Sequence, residues 1–513
     1  MGASTKKMLM FIRKKRNNSG SITVQILQKT GRKNKILKTI GTAKSKSDEN
    51  KLLLLAKNEM ERLKGLQYLF VEPEDVIVDS FINTLSNSQF QIIGTQLILG
   101  KIFDKIGYNS LKIDQLFKNL VLCRLVYPGS KLKTVRYLKN HFNQDISVYS
   151  IYRFLDRLHS KFKDKIQEIT FLHTKKILKG KITVAFYDMT TLFFEASEED
   201  ELRKIGMSKD GKFQQPQIMI GLLVGKNGYP IGYEIFKGNT SETKTLIPVL
   251  KQFETKFNIV KPIIVADCAL LSEKNLENLE KEGYKYILGG RIKNETAEIK
   301  QQVLSLKIKE GYSREIQTAK GRLIITYSSK RARKDAHNRI KGLQRLEKRV
   351  ISGKLTKKHI NNRGYNKYLK IEGKATIGID YEKYNQDVAW DGLKGYVTNT
   401  LLSKSLVIKQ YHHLWHIEKA FRISKTDLRI RPIYHRLERR IEAHICICFT
   451  AYAVIKEFER LLEKNKIKIS VQKAISELKE IRQLTYILPK SKQIKSTILK
   501  MNTIQSELMK IKI

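Results

Sequence analysis

The chain has 513 residues, and its 98 Lys and Arg against 50 Asp and Glu give a formal net charge of +48 at pH 7, which suits binding to a polyanion. Membrane insertion and secretion are not expected, because no apolar run approaches the roughly 18 residues of a spanning helix and the N-terminus lacks a signal-peptide pattern. The four cysteines form no zinc-ligand set and no disulfide framework, so we expect a reduced, cytoplasmic protein.

Residues 1–70 are expected to form a small, basic, β-rich module. The sequence alternates as a strand does over Ser21–Leu27 and again over Lys35–Ile40, and a helical pattern follows over Asn50–Leu66. Such a module could bind a DNA end, or it could be a scaffold decorated with lysine. The sequence does not separate these two interpretations.

The pattern becomes helical over residues 90–179. Apolar stripes recur at helical spacing, and a break at Tyr127–Lys131 precedes a basic helix over Lys131–Lys139. A helical bundle that presents basic helices is a candidate DNA-binding domain. No helix-turn-helix can be identified in it.

Residues 180–295 carry two aspartates at the ends of predicted strands. Ile182–Asp188 alternates as a strand and ends in Asp188, and the apolar run Pro262–Ala266 is followed directly by Asp267. An aspartate at the end of a strand is commonly a turn or cap residue, so neither one is decisive alone.

The order of elements around these aspartates indicates a fold. The patterns predict strands over Gln217–Val224 and Tyr229–Phe236, a helix over Leu246–Phe253, a helix capped by Ser272 and closed by Gly283, and a strand over Tyr286–Gly290. Three antiparallel strands followed by helix, strand, helix and strand are similar to the ribonuclease H-like α/β fold, with its mixed sheet. In that fold the first and fourth strands are parallel neighbours, so Asp188 and Asp267 would lie side by side.

Residues 296–400 are expected to be a basic α+β insertion that interrupts this core. A very basic stretch over Ser329–Lys341 continues as a helical pattern to Val350, and strand-like segments follow around Ala375–Ile379 and Val388–Thr398. A run of charge is usually a solvated face, but the position of this one favours a DNA clamp. The DNA contacts predicted here are Lys330, Arg331, Arg333 and Trp390. For Trp390, stacking on a base and packing in the insertion's core are equally supported.

Residues 401–455 are expected to supply the final helices of the core, and residues 456–513 a helical C-terminal region. Tyr411, Glu418 and Lys425 recur at intervals of seven, so a continuous helix would place them on one face, with Arg422 one turn from the glutamate. Such a helix could hold a metal beside cations that bind phosphate, or it could be a solvated face. The nearby histidines His412, His413 and His416 lack a further ligand of the right type for a zinc site.

Together these residues resemble the DDE transposases of bacterial insertion sequences, in the group named after insertion sequence four, and most of all its branch with a long insertion before the last acid. The signature of that group is Tyr, two residues, Arg, three residues, Glu, six residues, Lys. Tyr411, Glu418 and Lys425 match it, whereas Leu414 stands at the arginine position and Arg422 could substitute. Further similar stretches are Asp188-Met-Thr-Thr, Gly211–Gln217, Gly238–Glu242 and Val265–Asp267 with Leu271-Ser272.

The resemblance, which covers roughly residues 90–455, implies a metal-dependent enzyme. Asp188, Asp267 and Glu418 would be its catalytic acids and would bind Mg²⁺ or Mn²⁺, and Tyr411, Arg422 and Lys425 would contact DNA. Its partners would be the terminal inverted repeats of the element, target DNA and a second copy of the chain in a synaptic complex. The protein would be cytoplasmic and associated with the nucleoid when bound to DNA. A metal-dependent nuclease of the same fold and an inactive DNA-binding relic are the alternatives.

Overall fold

The structure, a computed structural model, describes residues 9–31, 33–63, 73–257, 259–270, 272–353, 355–361, 364–372, 376–488 and 491–513. The chain forms two compact units. The first comprises Met1–Gln89 and Tyr486–Lys495, and the second Phe90–Thr485 and Ser496–Ile513.

The first unit contains a three-stranded antiparallel sheet with a helix packed on one face. Its elements are β1 (Leu9–Arg16), β2 (Ile22–Thr30), β3 (Lys33–Ala43), α1 (Lys46–Leu63) and α2 (Pro73–Ile82). Val24 and Ile26 of the central strand β2 pack against Ala56 of α1. The predictions of β2, β3 and α1 are confirmed, but β1 was not expected because four consecutive cations, Arg13–Arg16, obscure its alternation. Residues 64–66 of the predicted helix lie outside the described residues.

The second unit begins with a group of helices. Its first elements are β4 (Phe90–Ile92), α3 (Lys101–Ile106), α4 (Gln115–Val126), α5 (Lys131–Phe142), α6 (Val148–Lys161) and α7 (Lys163–Ile177). The predicted break and the basic helix after it are confirmed: α4 ends at Val126, and the Ser130 side chain caps α5 by accepting a hydrogen bond from Lys133 N–H.

A mixed sheet follows the helices. Its strands and helices are β5 (Val184–Phe193), β6 (Gln217–Val224), β7 (Pro230–Lys237), α8 (Leu246–Phe257), β8 (Ile263–Ala266), α9 (Glu273–Lys281) and β9 (Tyr286–Gly290). The strand order is β9-β8-β5-β6-β7, with β5, β6 and β7 antiparallel. β5 and β8 are parallel neighbours, as predicted, and β9 continues parallel to β8.

One detail of the first strand differs from the prediction. Asp188 does not end β5 but lies in its middle, opposite Leu222 of β6, and pairing with β6 continues to Phe193. The alternation could not show this, because the residues after Asp188 are buried on both faces of the strand. What ends near Asp188 is the pairing with the other neighbour: β8 pairs with β5 only as far as Phe186.

The insertion is built into the edge of this sheet. It consists of α10 (Ala297–Ser305), β10 (Ser313–Thr318), β11 (Gly321–Tyr327), α11 (Ser329–Ile351), β12 (Leu369–Glu372), β13 (Thr376–Ile379), α12 (Tyr381–Gln386) and β14 (Leu393–Thr398). β14 pairs with both β9 and β11, which extends the sheet to eight strands. The long basic helix is confirmed as α11. The strand predicted from Val388 begins only at Leu393, because Asp387–Trp390 forms a 3₁₀ turn, and residue 375 lies outside the described residues.

The remaining elements are α13 (Lys404–His412), α14 (Trp415–Arg422), α15 (Glu438–Lys464), α16 (Val471–Glu480), β15 (Arg482–Ile487), β16 (Ile494–Ile498) and α17 (Thr503–Met509). The long helix α15 is buried over most of its length and packs against α3, α4, α6 and α7. Residues 456–513 thus contain β15 and β16, which the helical expectation for this region did not include. No helix in the described ranges has the length and apolarity to cross a membrane.

The single helix predicted through Tyr411 and Lys425 is broken. Leu414 N–H bonds to the Tyr411 carbonyl, and Ile417 N–H to the Leu414 carbonyl, so the chain tightens into 3₁₀ bonding between α13 and α14. After α14 it widens into a π-helical turn over Ile423–Asp427. Tyr411 is buried and Glu418 is exposed, so these two residues do not share one face. The finer division of this unit at residues 179, 295, 400 and 455 stays a prediction.

Candidate active site

Asp188 and Asp267 lie next to each other on parallel strands. The last parallel pair of β5 and β8 is Phe186 with Val265, and each aspartate follows its strand's member of that pair by two residues. The Asp188 carboxylate accepts a hydrogen bond from Met189 N–H at 2.7 Å, and that of Asp267 from Ala269 N–H at 2.8 Å. The two predicted acids are therefore brought together by sheet register.

The Asp188 carboxyl lies near other negative charges. Burial raises its pKa to about 6, and the negative charges of Asp267 and Glu242 act in the same direction. The Lys209 ammonium opposes them. A cation at this position is favoured because it relieves the repulsion among the carboxylates.

Lys209 occupies that position. Its Nζ lies 2.7 Å from Glu242 Oε1 and 3.6 Å from Asp188 Oδ1, and it donates a hydrogen bond to the Met189 carbonyl at 2.5 Å. Lys209 comes from the long connection between β5 and β6, and Glu242 from the turn before α8. The site thus contains a third acid and a lysine to which the sequence assigned no role.

The next residue, Asp210, binds cations on the other side. Its carboxylate lies 3.2 Å from Lys425 Nζ and 2.8 Å from an Arg431 guanidinium nitrogen. The side chains of Asp210 and Lys425 are each only 12% exposed. Burial lowers the pKa of Lys425, and Asp210 opposes that change. Lys425, predicted to contact DNA, is therefore held in an internal ion pair in the free protein.

Glu418 lies outside the sheet that carries the aspartates. It is exposed on α14, which packs across β5, β6 and the turn between β6 and β7. Its charge acts on Lys394 and Tyr411. Within the ranges that the structure describes, no three His, Cys, Asp or Glu side chains are close enough together to hold a metal ion. The structure therefore brings together two of the three predicted acids.

Tyr411 links the aspartates to the region of Glu418. It is buried, and a Cβ atom added to Gly289 of β9 would lie 2.6 Å from its hydroxyl and 3.1 Å from Cys268 N. The glycine therefore lets the phenol reach the backbone beside Asp267. Burial raises the pKa of Tyr411, and the charges of Cys268 and Asp267 add to that effect.

The predicted substitute for the signature arginine, Arg422, is exposed on the last turn of α14, and Leu414 itself is 7% exposed and belongs to the core. Neither residue places a cation against Tyr411. Lys394 of β14 does so instead, with its Nζ 4.4 Å from the centre of the Tyr411 ring.

A cavity of about 640 Å³ extends from Cys268 and Tyr411 into the insertion. Its basic lining residues are Arg291, Lys293, Arg331, Arg339, Lys367 and Lys394, and its acidic ones are Asp335, Asp387 and Asp391. Trp390 lies in the wall, with the Lys293 ammonium 6.0 Å from its ring centre, and it also packs against the core. Of the other predicted contacts, Arg331 lines this cavity, and Lys330 and Arg333 are exposed on α11.

A family model described as the transposase DDE domain matches residues 180–454, more than half of the chain. The chain belongs to the transposase DDE domain family. The match contains β5 to β14, both aspartates, Glu418 and Lys425, and it ends within α15.

Among solved structures, the chain is similar to a piggyBac transposase synaptic complex with hairpin DNA, at 12% identity over 75% of this chain and 76% of that one, with a TM-score of 0.39. It is also similar to a Mos1 transposase paired-end complex with the left transposon end, at 12% identity over 34% of this chain and 58% of that one, with a TM-score of 0.16. No curated protein sequence matches the chain.

Three charged residues of this domain, Lys209, Asp210 and Glu242, were assigned no role from the sequence. Glu242 ends the stretch Gly238–Glu242, whose similarity to the family was recognised without a role for its acid. Lys209 and Asp210 directly precede the recognised stretch that begins at Gly211. Two adjacent residues of opposite charge beside a family motif were the available signal, and only the structure shows that each faces a different part of the site.

Proposed function

We propose that this member of the DDE domain family is a transposase that binds the terminal inverted repeats of its element, cleaves DNA at the element's ends and joins the 3′-hydroxyls to target DNA. The observation that carries the proposal is the register of β5 and β8, which sets Asp188 beside Asp267. Cys268, the neighbour of Asp267 in the chain, lines the basic cavity. The strand order β9-β8-β5-β6-β7 supports a ribonuclease H-like core.

The donors at this position fit a divalent cation. They are carboxylates, the oxygen ligands that Mg²⁺ and Mn²⁺ prefer, and an ammonium already lies against Asp188 and Glu242. Asp188 and Asp267 would hold the metal, with Glu418 contributed by α14. When bound, divalent ions activate an attacking oxygen and stabilise a leaving one.

The protein's own residues would bind and orient the DNA. Lys425, Arg431 and Arg422 are cations near the acids that can contact phosphates once Asp210 releases the first two. Tyr411 is fixed by Gly289 beside Asp267 and would position the end of the strand. In the insertion, Lys330, Arg331 and Arg333 would grip the backbone, and Trp390 would stack on a base of the transposon end.

The remaining parts of the proposal concern assembly. A synaptic complex holds two DNA ends, so two copies of the chain would act together. The helices α3 to α7 and the small sheet of the first unit are candidates for recognising the terminal repeats, on the strength of their basic surfaces.

The test compares Asp188→Asn, Asp267→Asn and Glu418→Gln with the wild type. Each change keeps the side-chain shape and removes the charge that holds a divalent ion, so each should abolish Mg²⁺-dependent cutting of a duplex that carries the element's end. A gel shift on the same duplex should remain nearly unchanged. Glu277→Gln, which removes the charge of an exposed acid on α9, a helix with no assigned DNA contact, is the matched control.

The terminal repeats needed for this assay can be read from the DNA that flanks the gene. Cutting at the wild-type rate by Glu418→Gln would move the third acid to another residue, with Glu242 next because it already lies near Asp188. Joining of a pre-cut end to target DNA separates a transposase from a nuclease of the same fold, and a protein that binds ends without cutting would be an inactive relic.

A further inference from the structure

The basic residues of the cavity beside Asp267 are not equivalent. Lys293 and Lys367 both form ion pairs with Asp387, Arg339 pairs with Asp391, and Arg331 lies 3.5 Å from Asp335. For Arg291 and Lys394, by contrast, no carboxylate in the described part of the chain lies within salt-bridge distance. Arg291 donates a hydrogen bond to the Ala269 carbonyl at 3.4 Å, whereas the Lys394 ammonium lies against the Tyr411 ring. Its charge is therefore available to an anion that enters the cavity.

Lys394 is also held in a fixed place. Its ammonium lies 4.4 Å from the centre of the Tyr411 ring and 5.4 Å from that of Tyr396. Two aromatic faces stabilise a cation without neutralising it, since the rings carry no net charge. The side chain extends from β14, the strand that hydrogen-bonds to β9, so its position is set by the same sheet that positions Asp267.

The surroundings of Lys394 favour a bound anion. Burial disfavours its charge and so lowers its pKa, and the nearby positive charge of Arg331 adds to that effect. The charges of Cys268 and Glu418 act in the opposite direction. Two neighbouring cations on the wall of one cavity repel each other unless an anion lies between them, and a phosphodiester is the anion that a transposition site must admit.

We propose that Lys394, with Arg331, binds a phosphate of the DNA strand beside Asp267, and that it supplies the positive charge that Leu414 does not. This inference rests on the proposed function, because it assigns a residue to the same reaction. The sequence signature places its arginine three residues after the tyrosine, whereas Lys394 reaches the Tyr411 ring from a strand that precedes it by 17 positions in the chain.

The test measures DNA binding and cutting for Lys394→Met and Lys394→Arg. Methionine keeps the length of the side chain and removes its charge, whereas arginine keeps the charge. The matched control is Lys237→Met, which removes one positive charge at the opposite edge of the sheet, where Lys237 pairs with Glu201. Binding of an end duplex is titrated without divalent metal at several salt concentrations, and cutting is measured with Mg²⁺ at saturating DNA.

We expect Lys394→Met to weaken binding and to reduce the slope of log K against log[salt] by about 0.9, the contribution of one phosphate contact. Cutting at saturating DNA should fall at least tenfold, and Lys394→Arg should restore most of both. A purely structural role would lower thermal stability and leave the salt slope unchanged, and arginine would not rescue it.

Lys394→Met with the binding, slope and cutting of Lys237→Met would overturn the assignment. The outcome for the proposed function is read separately from the wild type. A wild type that binds the duplex without cutting it contradicts the proposed activity but still lets the salt slope decide the Lys394 contact, and a wild type that binds no duplex overturns both.

Discussion

Removing the charge of Asp210 tests whether the free protein holds its DNA-binding cations in reserve. Asp210 pairs at once with Lys425 and Arg431, at 3.2 and 2.8 Å, from a side chain that is 12% exposed. Asp210→Asn keeps the size of the side chain and leaves two largely buried cations without a counter-charge. The free protein should become less stable, and DNA phosphates should become better partners for both cations.

The magnitude follows from the burial of the pair. Breaking a buried ion pair by removing one partner costs about 3–5 kcal/mol, and the partial exposure of Arg431 places this case nearer 2 kcal/mol. At roughly 2–4 °C per kcal/mol for domains of about 150–250 residues, the melting temperature should fall by on the order of 5 °C. Binding no longer has to break the internal pairs, so affinity for an end duplex should rise about three- to tenfold, or roughly 0.7–1.4 kcal/mol.

Differential scanning fluorimetry with and without duplex measures both effects, and saturating duplex should reduce the stability difference from the wild type. Asp427→Asn is the control, because Asp427 lies in the same π-helical turn as Lys425 but accepts a hydrogen bond from Gln472. Weaker DNA binding by Asp210→Asn would refute the reasoning and would mean that Asp210 positions Lys425 for DNA instead of withholding it.

Three further outcomes are expected. Cutting should increase as pH rises through about 6, because burial raises the pKa of Asp188 to that value and only the charged carboxylate can hold a metal. Lys209→Met should move this rise to higher pH, since the Lys209 ammonium lowers the pKa of Asp188. A pH profile of cutting that is flat around pH 6 would contradict the assignment. Gly289→Ala should destabilise the protein by about 1–3 kcal/mol in thermal denaturation, since its Cβ would meet the Tyr411 hydroxyl, and adding Tyr411→Phe should recover part of the loss. Trp390→Ala should slow double-strand release of the transposon end more than first-strand nicking, with a difference of about 1–3 kcal/mol in activation free energy and unchanged thermal stability. Equal losses of both steps with a lower melting temperature would assign Trp390 to the core.

The central sheet could be predicted from the sequence because its strands are short apolar runs separated by strong turn signals. The similarity of their order to the ribonuclease H-like fold then placed Asp188 and Asp267 side by side, and the structure shows β5 and β8 as parallel neighbours. The position of Asp188 within its strand could not be predicted, since alternation shows which face a residue occupies but not where a neighbouring strand stops.

The contacts of Lys209, Asp210 and Lys394 could not be predicted for a different reason. Each depends on where a loop or strand distant in sequence meets the site, and charge patterns carry no such information. The interval of seven between Tyr411 and Glu418 was noticed correctly but interpreted with ideal helix geometry. The 3₁₀ bonding around Leu414 changes the rotation between the two residues, and no residue of this segment signals it.

The pairing of β14 with β9 makes the insertion a structural necessity as well as a binding surface. β9 would otherwise be the outermost strand of the sheet, with the unpaired N–H and C=O groups of Tyr286–Gly290 open to solvent. Exposed apolar strand edges recruit strands from other molecules and lead to aggregation. A truncated protein lacking residues 296–400 should therefore precipitate, and exchange of insertions between relatives should succeed only where the incoming segment ends in a strand that covers this edge.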